Sequence, residues 1–355
     1  MDSQQLVVRM PRATQILLTM AAVVIVLGGM RGAASFVSTF LLALVLTVCL
    51  APLPGKLTAR GLPMWLAFLL TVLGTLLFIV ALAVILGGAL LQFAHALPKY
   101  AENLVELRES VQSTAQSLGF DTAQFDIAGF VDPVKIGGIL VTMLDAILST
   151  LSSTALLLIL LFFMMLDAIG FAQKADRALA SRPRAYEGWK RFVHDTRRYV
   201  FITGWTGMLV GVVDALILLF LGVDFALLWG ILAFLFSFVP NIGFVLSLIP
   251  PAILALLEFG WTKCLIVIAA YILINAGVDN VLKPKVIGDD LNLSLATTFI
   301  SLVVWGFVIG PMGAILAIPL TLLVLHVILE SGDDSRWLAD MLMQKPTARA
   351  GGAAK

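Results

Sequence analysis

Two apolar stretches of this sequence are cut by turn-forming residues, and the polar groups gathered around them are the ones whose types and spacing suit chemistry. Phe225 to Glu258 is interrupted at Pro240-Asn241-Ile242-Gly243, and Leu293 to Leu329 at Gly310-Pro311-Met312-Gly313. Proline lacks a backbone donor and stops a helix, while glycine accepts the conformations that let a chain double back. Each stretch therefore reads as two half-helices meeting at a tip, with Pro240, Gly243, Gly310, Pro311 and Gly313 as the tip residues. Half-helix ends turned toward each other offer backbone donors and acceptors that replace water around an ion or a polar solute.

Side chains fitted to the same task lie nearby. Asn241 stands at the first tip, Asp214 in the apolar run before it, and Asn275, Asp279 and Asn280 in the run between the two interrupted stretches. An ionisable group inside a span is tolerated where it faces protein, water or a partner, which makes these five residues the transport-site candidates. Each has a structural alternative. Lys283 and Lys285 follow Asp279 within a turn or so, so Asp279 and Asn280 also fit an interfacial ion pair. Asp214 also fits a satisfied structural carboxylate, and Asn241 a plain turn residue. Glu258 and Glu330 close the two stretches as solvated ends, while Asp145, Asp167, His95 and His326 sit near ends of apolar runs and receive no site role.

Other chemistries lack their motifs. The three histidines are dispersed, with no His-Glu-x-x-His spacing, no nucleotide-binding P-loop and no Ser/His or paired-Asp arrangement around Ser237, Ser247, Asp214 or Asp279. Cys49 and Cys264 each lie in an apolar run without a second thiol nearby, as small hydrophobes rather than metal or disulfide partners. The expectation is a non-enzyme with no catalytic residue, no metal and no cofactor beyond a coupling ion, Na+ or H+. A net charge of +1 gives no sign of a nucleic-acid partner.

The elements that position these groups are read from hydropathy. The chain is 60% hydrophobic and 13% charged, with a mean hydropathy of +1.03, whereas an ordinary soluble domain is about one quarter charged. Apolar runs from Ala13 to Met30, Ala33 to Leu53, Leu62 to Ala94, Ile136 to Leu166, Tyr199 to Val223 and Trp261 to Leu282 are each long enough to cross a bilayer as a helix. The first follows Arg9 and Arg12 in the manner of a signal peptide, but a second run opens after Arg31-Gly32, so the two read as a retained helical hairpin. The predicted fold is an all-α integral membrane protein with six full transmembrane helices and two re-entrant helical hairpins, eight hydrophobic blocks in all. The competing reading of the hairpins is two kinked full spans or two packed helix pairs.

Of the 23 Lys and Arg residues, the outer segments keep only Arg31, Lys99, Arg108, Lys135 and Lys263 when both termini are cytoplasmic, which is the positive-inside pattern. Residues 1–198 then form a scaffold of four spans. It holds an outer amphipathic insertion, 95–135, extending the third span, and a basic cytoplasmic linker, 168–198, whose Tyr186, Trp189 and Phe192 suit a helix lying on anionic headgroups. Residues 199–330 form a transport domain of two span-plus-hairpin units, 199–258 and 261–330, running in opposite directions, and 331–355 a cytoplasmic tail. Inverted repeats with broken helices are a construction used by secondary transporters.

Several segments carry a family likeness. Phe238-Val239-Pro240-Asn241-Ile242-Gly243, the run from Asp279 to Asp289, Leu291-Asn292-Leu293-Ser294, Trp305-Gly306 and the run from Gly310 to Pro319 resemble the autoinducer-2 exporter family of bacterial permeases. The first four spans agree mainly in hydropathy and in Arg60-Gly61-Leu62-Pro63. The resemblance implies a permease of the bacterial inner membrane, with some members associated with export of autoinducer-2 and others with cation/proton exchange, assembled as a homopentamer with mobile hairpins. The sequence departs from the family's common proline after the Leu-Asn-Leu-Ser serine, because Leu295 stands there.

The functional expectation is an ion-coupled secondary transporter that exports a small polar signal or exchanges a monovalent cation for protons; the alternative is a passive channel or membrane scaffold without alternating access. Its partners are the substrate, the lipid bilayer and further copies of the chain. Spans three and four, at roughly 46 to 50 Å, overshoot the hydrocarbon and need neighbours to cover them. Small residues at Gly204, Gly207, Gly211, Gly230, Gly306 and Gly310 leave room where elements slide.

Overall fold

The computed structural model of the chain describes residues 11–117, 133–178, 183–283, 293–329 and 341–342. Its regular elements there are helices. Helices α1 (Arg12–Gly32) and α2 (Ala34–Leu50) do not pack on each other as the hairpin expected from sequence. The single residue Ala33 joins them end to end, its N–H bonded to the Gly29 carbonyl and its own carbonyl accepting from the Val37 N–H, while α1 rests on residues 295–309. Helix α3 (Pro52–Thr58) leads through Gly61, at φ 94°, into α4. Helix α4 (Met64–Ser117) carries the third span and the first part of the outer insertion as one 54-residue helix. The remainder of that insertion, 118–132, lies outside the described residues, as does most of the tail.

Helix α5 (Pro133–Ala178) packs on α2 and α4, and α6 (Pro183–Leu221) follows it. The structure corrects the reading of that linker. Residues 183–198 are the first half of α6, continuous with the fifth span, and their apolar face is covered by protein. Phe192 is fully buried among Val48 of α2 and Ile318 and Leu322 of the second interrupted stretch, with Trp189 packed beside them. Among the described residues, four segments are long and apolar enough to cross a membrane: Ala34–Thr58, Met64–Tyr100, Arg184–Leu221 and Trp261–Leu282. Leu17–Gly32 and Thr154–Ala168 are shorter apolar stretches of α1 and α5.

The first interrupted stretch folds as α7 (Ala226–Phe236) and α8 (Gly243–Phe259). At 11 residues α7 is shorter than the half-helix expected from sequence, because it stops at Phe236 and residues 237–240 are turns; Phe225, in the left-handed region (φ 60°), sets its start. The two ends of the stretch meet: the Asp224 N–H donates to Glu258 Oε2 at 3.4 Å. The chain has doubled back on itself. Helix α9 (Trp261–Gly277) packs on α6 and α8 and runs on into a π-helical turn, Val278–Leu282.

The second stretch comprises α10 (Leu295–Ile309), α11 (Pro311–Ile315), α12 (Ala317–Leu323) and a π-helical end, Val324–Leu329. Ser294 caps α10 by accepting from the Thr297 N–H at 3.1 Å. Its limbs are antiparallel, since Trp305 Nε1 donates to Thr321 Oγ1 at 3.1 Å and Thr321 Oγ1 donates to Ser301 Oγ at 2.7 Å.

The main core joins α4 to the first hairpin and α9. Leu86, Leu90 and Phe93 pack with Leu228, Trp229 and Val267, and Phe93 meets Phe225 and Trp229 edge-on at 5.2 and 5.3 Å. A smaller core sets Leu41 and Val45 of α2 against Val308, Ile309, Leu316 and Leu320 of the second hairpin.

Candidate functional site

Each tip is closed by a glycine pressed onto a backbone carbonyl. A Cβ at Gly243 would collide with the Phe236 carbonyl, and one at Gly313 with the Trp305 carbonyl. The two glycines hold corresponding places, at the start of the returning limb against the last turns of the outgoing one. Asn241 takes a left-handed conformation (φ 63°) that the polar side chain of Asn tolerates, and Gly310 takes φ 72°.

The first tip rests on α6. Tyr199 Oη donates to the Phe238 carbonyl at 3.3 Å, Gly204 faces the Phe238 ring, and a Cβ on Gly207 would lie 2.7 Å from Ser237 Cβ. Further along, Gly211 and Gly230 each press on the other's carbonyl, and Ala215 Cβ would lie 2.7 Å from a Cβ at Gly230. Four of the small residues read from sequence thus line one tight α6–α7 contact, whereas Gly306 and Gly310 meet nothing within 4 Å. The second tip has other neighbours: the Arg31 guanidinium lies 3.9 Å over the Phe307 ring. Tip one sits by the early part of the fifth span and tip two by α1 and α2.

The five candidate side chains take different environments. Asp214 is fully buried, with neither carboxylate oxygen hydrogen-bonded. Asn275 is half-buried and donates from Nδ2 to the Tyr271 carbonyl at 2.9 Å. Asp279 and Asn280 are exposed on the π-helical turn, and Asp279 Oδ1 pairs with Lys283 Nζ at 2.7 Å; Lys285 lies outside the described residues. Asn241 is exposed at its tip. The π-helical turn itself is held close to the first hairpin, because Val278 is buried against Val210 of α6 and Ala233 of α7. Such turns recur at functional sites.

Three groupings escaped the sequence reading. Glu258, read as a solvated end, joins Asp224 around the buried Tyr100 of α4, whose Oη lies 2.6 Å from Glu258 Oε1 and 2.6 Å from Asp224 Oδ2. Lys99 Nζ pairs with the same Asp224 oxygen at 3.2 Å. The Tyr100 bond, with Lys99 assisting, holds the Asp224 carboxyl below the usual carboxylate range. His326, given no role, places Nε2 2.9 Å from Asp195 Oδ2, tying the second hairpin to α6. Tyr271 is fully buried with its hydroxyl unbonded, within electrostatic reach of Asp214. All three join residues far apart in sequence, so no local spacing announces them.

The sequence profile of AI-2E family transporters matches residues 16–331. Two similar proteins come from Escherichia coli (strain K12). The AI-2 transport protein TqsA is 32% identical over 310 residues, covering 87% of this chain and 90% of that protein. YhhT is 30% identical over 306 residues, covering 86% and 88%.

Proposed function

The chain belongs to the AI-2E transporter family and is a multi-pass membrane protein of transport, and from that premise we propose that it is an ion-coupled secondary transporter. Its substrate is a small polar signal of the autoinducer-2 kind, as in the name of TqsA, or a monovalent cation exchanged for protons. In this reading the protein lies in a bacterial inner membrane with both termini cytoplasmic, six spans cross, and the two hairpins enter from opposite faces without crossing. The N-terminal half holds copies of the chain together while residues 199–330 move.

The observation that carries the reading is the matched construction of the two hairpins. Each has antiparallel limbs, each closes with a glycine on a carbonyl of the outgoing limb, and each follows a long apolar helix. Broken helices in oppositely directed units give a site that opens to one side at a time. The test is a proteoliposome flux screen over Na+, Li+, K+, H+ and a furanose-type signal. Saturable uptake with counterflow is expected; flux that is unsaturable and shows no counterflow would instead establish a channel.

Two outcomes follow. Cysteines replacing Phe225 and Phe259 are expected to react with an impermeant thiol reagent from outside only, and those replacing Leu293 and Glu330 from inside only. Either pair reacting from two different sides would mean that its hairpin crosses. Asp279→Asn keeps the shape of the side chain while removing its charge and its pairing with Lys283. Proton-linked flux is expected to fall several-fold at normal expression and oligomer size. Unchanged flux would return Asp279 to a purely interfacial role.

A further inference from the structure

We propose that Asp214 is the proton-binding residue of the carrier and that displacement of the first hairpin from α6 controls its access to water. This rests on the carrier reading given above. Asp214 of α6 and Tyr271 of α9 both have 0% exposure, and neither carboxylate oxygen nor the phenol has a hydrogen-bond partner. A carboxylate stripped of water without a compensating bond or cation is far costlier than the neutral acid. In the closed arrangement the group is therefore held as the acid.

The surroundings favour a proton over a metal cation. Alkali and alkaline-earth ions require a shell of several oxygens. Here the groups facing Asp214 from the packed elements are few. Helix α7 is apolar throughout, Ala226–Phe236, and carries no titratable side chain. From α9 comes Tyr271; Lys263 of the same helix is turned to the outer end, donating to the Leu221 carbonyl at 2.8 Å and lying over the Phe259 ring. Cys264 is the other titratable side chain of α9 and Cys49 that of α2; His326 of the second hairpin is engaged with Asp195 in the first half of α6, and Asp279 of the π-helical turn with Lys283. No described cluster of His, Cys, Asp and Glu is arranged to hold a metal. A proton needs only one of the two carboxylate oxygens.

The gate follows from position. Asp214 is three residues from Gly211 and adjacent to Ala215, the two α6 residues pressed onto Gly230 of α7. Moving α7 away from α6 opens the helix face next to the carboxyl, admits water and lets the acid ionise. Closing the contact again requires the proton back. Proton binding and hairpin position are thereby one equilibrium, which is what coupling requires.

The test uses full-length wild type, Asp214→Asn and Tyr271→Phe in proteoliposomes, with infrared spectroscopy of the carboxyl C=O band during alkaline titration and flux driven by an imposed pH gradient. The proposal expects a band of a buried protonated carboxyl that bleaches on alkalinisation in wild type, is missing in Asp214→Asn, and shifts in frequency in Tyr271→Phe. It also expects loss of pH-driven flux in Asp214→Asn. A wild type without that band, or an Asp214→Asn protein that keeps it, would overturn the assignment whatever the flux shows. A wild type that has the band but moves no substrate would leave the proton site standing and refute only the carrier reading. Asp214→Asn that retains pH-driven flux would overturn the coupling role.

Discussion

Alanine at Gly243 or Gly313 is expected to abolish flux and lower thermal stability markedly, whereas alanine at Gly306 leaves both near wild type. Both sensitive glycines are helical with ordinary φ, so the difficulty is space rather than conformation. The Cβ at each would fall on a main-chain carbonyl, of Phe236 in one case and Trp305 in the other. Backbone cannot rotate aside as a long side chain can, so the returning limb must lift away and carry its tip with it. Overpacking of a tight site costs about 1–3 kcal/mol, and a clash with backbone belongs at the upper end of that range. Gly306, on the same helix as Trp305, meets nothing within 4 Å and supplies the control. Melting of the detergent-solubilised protein, followed by size-exclusion chromatography, reads the stability, and proteoliposome flux reads the tips. If Gly243→Ala melts and transports like wild type, the glycine closure is not what sets the hairpin.

Much of this arrangement was legible in the sequence because its causes are local. Proline and glycine mark both tips whatever surrounds them, and apolar run length fixed where helices such as α2 and α9 lie. The first hairpin's limb lengths were less legible, since α7 ends at Phe236, ahead of the Pro240 that marks the tip, and Ser237, Phe238 and Val239 give no signal of the turns they form. The basic linker was misread for a different reason. Its aromatic residues are amphipathic at helical spacing, and spacing alone cannot say whether Phe192 meets headgroups or Ile318 and Leu322, residues more than a hundred positions away. The same holds within the candidate site: Asp214 was visible as a charge in an apolar run, but Tyr271 beside it looks like any aromatic in a membrane helix.

Tyr100→Phe is expected to destabilise the protein by about 2 kcal/mol, the range for hydrogen bonds to charged groups, and to detach the base of the first hairpin from α4. One phenolic hydrogen cannot be given to two oxygens at once. With Oη 2.6 Å from both Asp224 Oδ2 and Glu258 Oε1, the phenol donates to one carboxyl at a time and bridges the pair. Lys99, paired with Asp224, favours the charge there. Removing the hydroxyl takes away both bonds and leaves two acidic groups adjacent without their bridge. The pH dependence gives a second reading. Asp224 titrates below its ordinary range in the folded protein, chiefly through the Tyr100 bond. Its contribution is therefore present above the ordinary aspartate range and is lost as pH falls through the depressed value. The gap in melting temperature between wild type and Tyr100→Phe should be widest near neutral pH and narrow in acid. Glu258→Gln keeps a carbonyl oxygen to accept from the Tyr100 hydroxyl, so it should cost less than Tyr100→Phe, and the double variant should cost less than the sum of the two. Additive losses, or a gap that widens in acid, would mean that Tyr100 acts through packing alone.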